Sequence, residues 1–154
     1  MTRLFLTLLL LAPVVARAEP VTCTDLRQAE VVRVVDGDTF QAVIDLGFHL
    51  SLTKHVRLLG YNAPESRGAE KAWGVQATAA LRAMLPVGAH VFLEPHGDDA
   101  FGRVLAVVVL SSAPAESVVD RLVREGWGVR WDGRGKRPVP WMAGAAYPIR
   151  EVTQ

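Results

Sequence analysis

Between Val31 and Leu59 the apolar residues keep the short period of β-strands, and the pattern turns helical only from Ala69. That order confines the first half of the chain to a strand-built frame with a helix laid against it. Val31 to Val35 is a nearly continuous apolar run, and Phe40, Ala42, Ile44 and Leu46 share one face of the next segment. Between them, Asp36-Gly37-Asp38-Thr39 reads as a hairpin turn, with glycine tolerating the positive backbone angle such turns require. Gly47 breaks the second strand, and Phe48, Leu50 and Leu52 alternate with His49, Ser51 and Thr53 into a third that runs on to Leu59.

From Ala69, the residues Trp73, Ala77, Ala80 or Leu81, and Met84 recur at helical spacing until Pro86 and Gly88. A fourth strand follows at Val91 and Leu93, and a fifth over Val104 to Leu110. A second helix is expected from about Pro114 to Gly126, with Val118, Val119, Leu122 and Val123 facing inward. Three strands, a helix, two strands and a helix is the chain order of the OB-fold, a five-stranded Greek-key barrel that often binds oligonucleotides. The expected fold class is therefore α+β, an OB-fold barrel with two helices and an extended C-terminal tail. Fold alone does not give function.

The ends of the chain read differently from this frame. Arg3, the apolar run Leu4 to Leu11, Pro13 and then Ala16-Arg17-Ala18 form a signal-peptide pattern with cleavage after Ala18. The run is shorter than the roughly 20 residues of a membrane-spanning helix. The expected organisation is a signal peptide over 1–18, a lead-in over 19–29, the barrel domain over 30–131 and an irregular tail over 132–154. A secreted or periplasmic protein with no stable membrane association after cleavage follows, and a monomer is expected. The tail carries Gly133, Gly135, Pro138, Pro140, Gly144 and Pro148, with Trp141 and Tyr147 as the residues that would tack it to the barrel.

Cys23 is the single cysteine, so no intramolecular disulfide is expected despite export. The whole chain has a net charge of +1, and losing Arg3 and Arg17 leaves 15 basic against 16 acidic residues. Bulk cationic binding to nucleic acid is thereby excluded, and any basic site must be local.

Asp36 and Asp38 would converge with Asn62 and Glu65 if the third strand lies beside the first hairpin, giving an all-oxygen site suited to a hard cation such as calcium. The Asp-Gly-Asp run also reads as an ordinary turn. Zinc is disfavoured, because His49, His55, His90 and His96 show no ligand spacing with Cys23. Arg57, among Val56, Leu58 and Leu59, and Arg103, after Gly102, are guanidinium groups that grip phosphate or form structural ion pairs, Arg57 with Glu65 for example.

Four blocks in order carry a resemblance: Val34-Val35-Asp36-Gly37-Asp38-Thr39, then Val56-Arg57-Leu58-Leu59-Gly60-Tyr61-Asn62-Ala63-Pro64-Glu65, then Asp99-Ala100-Phe101-Gly102-Arg103, then Leu122-Val123-Arg124-Glu125-Gly126. Over about residues 30 to 131 the chain resembles the staphylococcal-nuclease-like (thermonuclease) family. The resemblance implies a calcium-dependent endo- and exonuclease acting on DNA and RNA with 3′-phosphate products. By position it makes Arg57, Glu65 and Arg103 the catalytic trio, with Glu65 activating water and the arginines holding the phosphate. It makes Asp38 and Asn62 side-chain ligands of Ca2+ and Ala63 a backbone-carbonyl ligand, with Asp36 nearby.

Asn62 stands where the family commonly has aspartate, so weaker calcium binding is expected. Ala100 and Phe101 replace a lysine and a tyrosine of the best-known member. Phe101, Trp131 and Arg130 are the candidate nucleic-acid contacts, since aromatic faces beside cations stack bases and follow a strand. The tryptophans also read as packing residues of the second helix. Two other functions compete with the nuclease: a noncatalytic OB-fold module that binds single-stranded nucleic acid, and an envelope protein that uses the barrel as a scaffold.

Overall fold

The structure, a computed structural model, describes residues 26–110, 116–144 and 146–149. The expected signal peptide, Cys23 and Pro114 lie outside the described residues. The strands are β1 (Arg27–Val34), β2 (Thr39–Gly47), β3 (Leu50–Leu58), β4 (Tyr61–Asn62), β5 (His90–Asp98), β6 (Val104–Val109) and β7 (Val129–Arg130). Helix α1 (Lys71–Met84) lies between β4 and β5, and α2 (Val118–Arg124) between β6 and β7.

The five long strands close into a barrel in the order β1-β2-β3-β6-β5. Successive neighbours β1, β2 and β3 pair antiparallel because short turns join them, whereas β6 returns across the fold and pairs parallel with β3. This closed barrel with two helices is the OB-fold that the strand and helix order predicts. Alternate residues Phe40, Ala42 and Ile44 of β2, with Val56 and Leu58 of β3, fill its interior, and Leu81 of α1 and Leu122 of α2 extend the same core.

Several expectations are corrected. Leu46 is 43% exposed instead of sharing the buried face of Phe40 and Ala42, because β2 runs past the core into a projecting turn at Phe48 and His49. The buried face of α1 is Gly74, Ala77, Thr78 and Leu81, and Trp73 is only half-buried. Helix α2 starts from Ser117, whose side chain accepts the Asp120 N–H at 3.0 Å.

The tail is also more than an extended strand of chain. Residues Pro140–Ala143 form a short 3-10 helix, and Trp141 is fully buried. Tyr147 packs edge-on against Trp127 with ring centres 5.8 Å apart, and its hydroxyl donates to the Trp127 carbonyl at 2.9 Å. A second, two-stranded sheet of β4 and β7 holds Tyr61–Asn62 beside the chain that leaves α2. No helix among the described residues is long and apolar enough to cross a membrane.

Candidate functional site

Strand register decides which charged residues meet. Thr39 lies opposite Arg57 across β2 and β3, and Arg57 lies opposite Leu105 across the parallel β3–β6 pair. Asp38 directly precedes β2 and Arg103 directly precedes β6, so both reach the barrel end where Arg57 sits. The Asp38 carbonyl accepts the Leu58 N–H at 2.9 Å, which stitches the turn to β3.

Gly37 does not have a positive φ, so the angle is not why glycine stands there. The reason is space: a β-carbon at residue 37 would lie 2.7 Å from the Ala63 methyl and 2.9 Å from that of Ala77. The turn bearing Asp36 and Asp38 is therefore pressed against both the Ala63 segment and α1. Gly74 permits a second close approach, since a β-carbon there would come within 2.1 Å of the Glu65 carbonyl oxygen. Two glycines thus let α1 bring the acidic turn and Glu65 together.

Each arginine is held by its own carboxylate. Arg57 Nη1 donates to Asp38 Oδ1 at 2.6 Å, and the Thr39 hydroxyl donates to the same oxygen at 2.8 Å. Arg103 donates through Nε and Nη2 to Asp99 Oδ2 at 2.7 and 2.6 Å, and its Nη1 donates to the Thr39 hydroxyl at 3.3 Å. Asp99 Oδ1 accepts the backbone N–H groups of Phe101 and Arg103. Asp99 is also buried enough for desolvation to push its pKa up, yet these donors together hold it below the usual range. The Arg103 guanidinium carbon stands 5.4 Å from the Phe101 ring centre. Arg57 thus pairs with Asp38, and the ion pair with Glu65 is made by another residue.

That residue is Arg137, whose Nη1 is 3.6 Å from Glu65 Oε1. Arg137 also pairs through Nη2 with Glu70 Oε1, and Glu70 Oε2 accepts the Trp141 indole N–H at 2.9 Å and the Glu65 backbone N–H at 3.1 Å. Burial pushes the Glu70 carboxyl up, but the bonds from Arg137, Glu65 and Trp141 outweigh it and hold the group below its ordinary value.

One cleft of about 780 Å³ gathers Arg57, Glu65 and Arg103 with Asp36, Asp38, Ala63, Phe101, Trp131 and Arg137 along its wall. Asn62 and Arg130 do not line it. The Asn62 amide is turned to the tail, with Nδ2 donating to the Pro138 carbonyl at 2.9 Å and Oδ1 accepting from Arg137 at 3.4 Å. Arg130 is exposed on β7, outside the cleft lining, and is paired with Asp120 of α2. Asp99, Glu70 and Arg137 escaped the sequence reading as site residues. The i,i+4 spacing of Asp99 and Arg103 was a usable signal; the pairing of Glu70 with a residue 67 positions away was not.

The residues present fit a hard cation only incompletely. Burial pushes the Asp38 carboxyl up to about 6, against the pull of Arg57, and the charge of Asp36 pushes in the same direction as burial. A buried carboxylate with too little positive charge around it is the environment a cation relieves. Asp36 is adjacent, its Oδ1 accepting the Asp38 N–H at 3.1 Å. Among the described residues no three His, Cys, Asp or Glu side chains cluster as a metal site, so a carbonyl such as that of Ala63 and solvent would have to complete the shell.

Residues 55–137 match the family model described as staphylococcal nuclease homologue. Among curated proteins, Protein ParB of Escherichia coli is 34% identical over 119 residues, covering 72% of this chain and 62% of that protein. The chain thus spans less than two thirds of the length of that relative.

Proposed function

This chain belongs to the staphylococcal nuclease homologue family, and from that premise we propose that it is an exported, calcium-dependent nuclease that hydrolyses phosphodiester bonds in DNA and RNA. Nuclease chemistry goes with the family; calcium dependence, export and the individual residue roles are our reading. The observation that carries it is the convergence of Arg57, Glu65 and Arg103 on one cleft.

Glu65 is exposed enough to meet solvent and takes the proton of the attacking water. Arg57 and Arg103 donate to the phosphate oxygens and offset the negative charge that grows as phosphorus bonds to water and its bond to the 5′-oxygen breaks. Asp38 and Asp99 fix the two guanidinium groups before substrate arrives, which lowers the ordering cost at the moment of reaction. The departing 5′-oxygen takes a proton from solvent, so a 3′-phosphate and a 5′-hydroxyl are the expected ends.

Asp38, Asp36 and the Ala63 carbonyl are the groups that would hold calcium, with Asn62 contributing only if its amide leaves the tail. Calcium bound there would supply positive charge that polarises the phosphate. Phe101, 85% exposed on the cleft rim, and Trp131 offer faces on which bases stack. The signal-peptide pattern of residues 1–18 supports release to the periplasm or medium, where the protein would act as a monomer.

The test is direct. Purified protein mixed with single-stranded DNA or RNA in calcium is expected to yield fragments with 3′-phosphate ends and to stop on chelation. Oligonucleotide binding with no cleavage, from neutral to alkaline pH, would instead identify a noncatalytic binding module.

A further inference from the structure

The carboxylate assigned to activate water is less firmly held than the two arginines it faces. The Glu65 side chain is 61% exposed, while Arg57 and Arg103 are occupied by Asp38 and Asp99. Its cationic partner arrives from the tail. Arg137 Nη1 stands 3.6 Å from Glu65 Oε1, 3.4 Å from Asn62 Oδ1 and 3.3 Å from Glu70 Oε2, and Nη2 is committed to Glu70 Oε1.

We propose that Arg137 is a positioning residue for hydrolysis: braced on Glu70, its guanidinium sets where the Glu65 carboxylate rests over the cleft. This inference rests on the nuclease reading above. An exposed ion pair at such a distance is ordinarily worth little, because two long side chains must be ordered to make it. Here one partner is already ordered. Glu70 is buried, and it holds Arg137 from one side and the Glu65 backbone N–H from the other, so a single carboxylate indexes both the main chain of residue 65 and the cation facing its side chain.

The fork of the guanidinium matters to this geometry. A lysine ammonium is a point charge and cannot span Glu70 and Glu65 with two separate nitrogens. The tail is on this account a component of the catalytic apparatus, and its glycines and prolines serve to route Arg137 to the cleft.

The experiment is a double-mutant cycle on the full protein, with kcat and KM measured on a single-stranded oligonucleotide for wild type, Arg137→Gln, Glu65→Gln and the double variant. Arg137→Gln is expected to lower kcat by about 10-fold to 100-fold, the scale of a slightly misplaced catalytic group, with little change in KM. Arg137→Lys should fall nearly as far. In the Glu65→Gln background the same change should cost nothing more, because the group it positions is gone.

Unchanged kcat in Arg137→Gln overturns the inference. A raised KM at constant kcat also overturns it, by showing direct substrate binding. Equal losses in both backgrounds show a role independent of Glu65 and overturn it too. If Arg137→Gln fails to fold, the cycle with Arg137→Lys decides by the same criteria. Absence of cleavage by the wild type instead sinks the nuclease reading, and this inference with it.

Discussion

Asp38 and Arg57 share a 2.6 Å hydrogen bond between the first turn and β3, and the bond leaves the buried carboxylate short of compensation. Burial pushes Asp38 from its ordinary 3.8 up to about 6, so the fold favours the protonated form. The resulting contribution to stability is fully present below about pH 4 and is lost as the pH rises through about 6. Asp38→Asn should therefore gain on the wild type in thermal melts, measured in chelator, as the pH is raised from about 4 to about 7. Calcium should raise the wild-type melting temperature at alkaline pH and lose that effect as the pH drops through about 6. A stability difference between the two proteins that does not vary with pH would show that Asp38 is not the titrating group.

Gly37 is expected to tolerate no side chain. Gly37→Ala places a methyl 2.7 Å from that of Ala63, and overpacking of this kind costs about 1–3 kcal/mol. Because the same contact brings the acidic turn to the Glu65 segment, nuclease activity should fall along with stability. Denaturant unfolding and a cleavage assay check both, and wild-type values in each would mean that the turn and the Ala63 segment move apart at no cost.

Trp141 is expected to behave as a core residue even though it lies in the tail. It is fully buried and donates to Glu70, so Trp141→Ala should destabilise the protein by about 3–5 kcal/mol. A change near zero in equilibrium unfolding would mean that the tail leaves the barrel in solution.

The barrel was legible because its strands alternate and its helices repeat at their own periods, and because glycine and proline punctuate them. Leu46 misled, since periodicity reports a face but not where the core ends along it. The candidate catalytic residues were found through the four-block resemblance, and the register of Thr39, Arg57 and Leu105 explains why residues so far apart in the chain meet. Gly37 was recognised as a turn residue for the wrong reason. Close approach leaves the same letter in a sequence as a positive backbone angle does.

The tail was the least legible region. Trp141 and Tyr147 stood out in it as aromatic residues that tack it to the barrel, but nothing in the sequence announces the pairing of Arg137 with Glu70. Glu70 itself sits at the start of α1, where an acidic residue ordinarily means no more than a favourable helix terminus.

The central claim is that Glu65 activates water beside two phosphate-holding arginines, and Glu65→Gln tests it most directly. The substitution keeps size and exposure while removing the base, so kcat on single-stranded DNA in calcium should fall by about 100-fold to 10,000-fold, with melting temperature and oligonucleotide affinity nearly unchanged. A Glu65→Gln protein that cleaves at the wild-type rate would contradict the account.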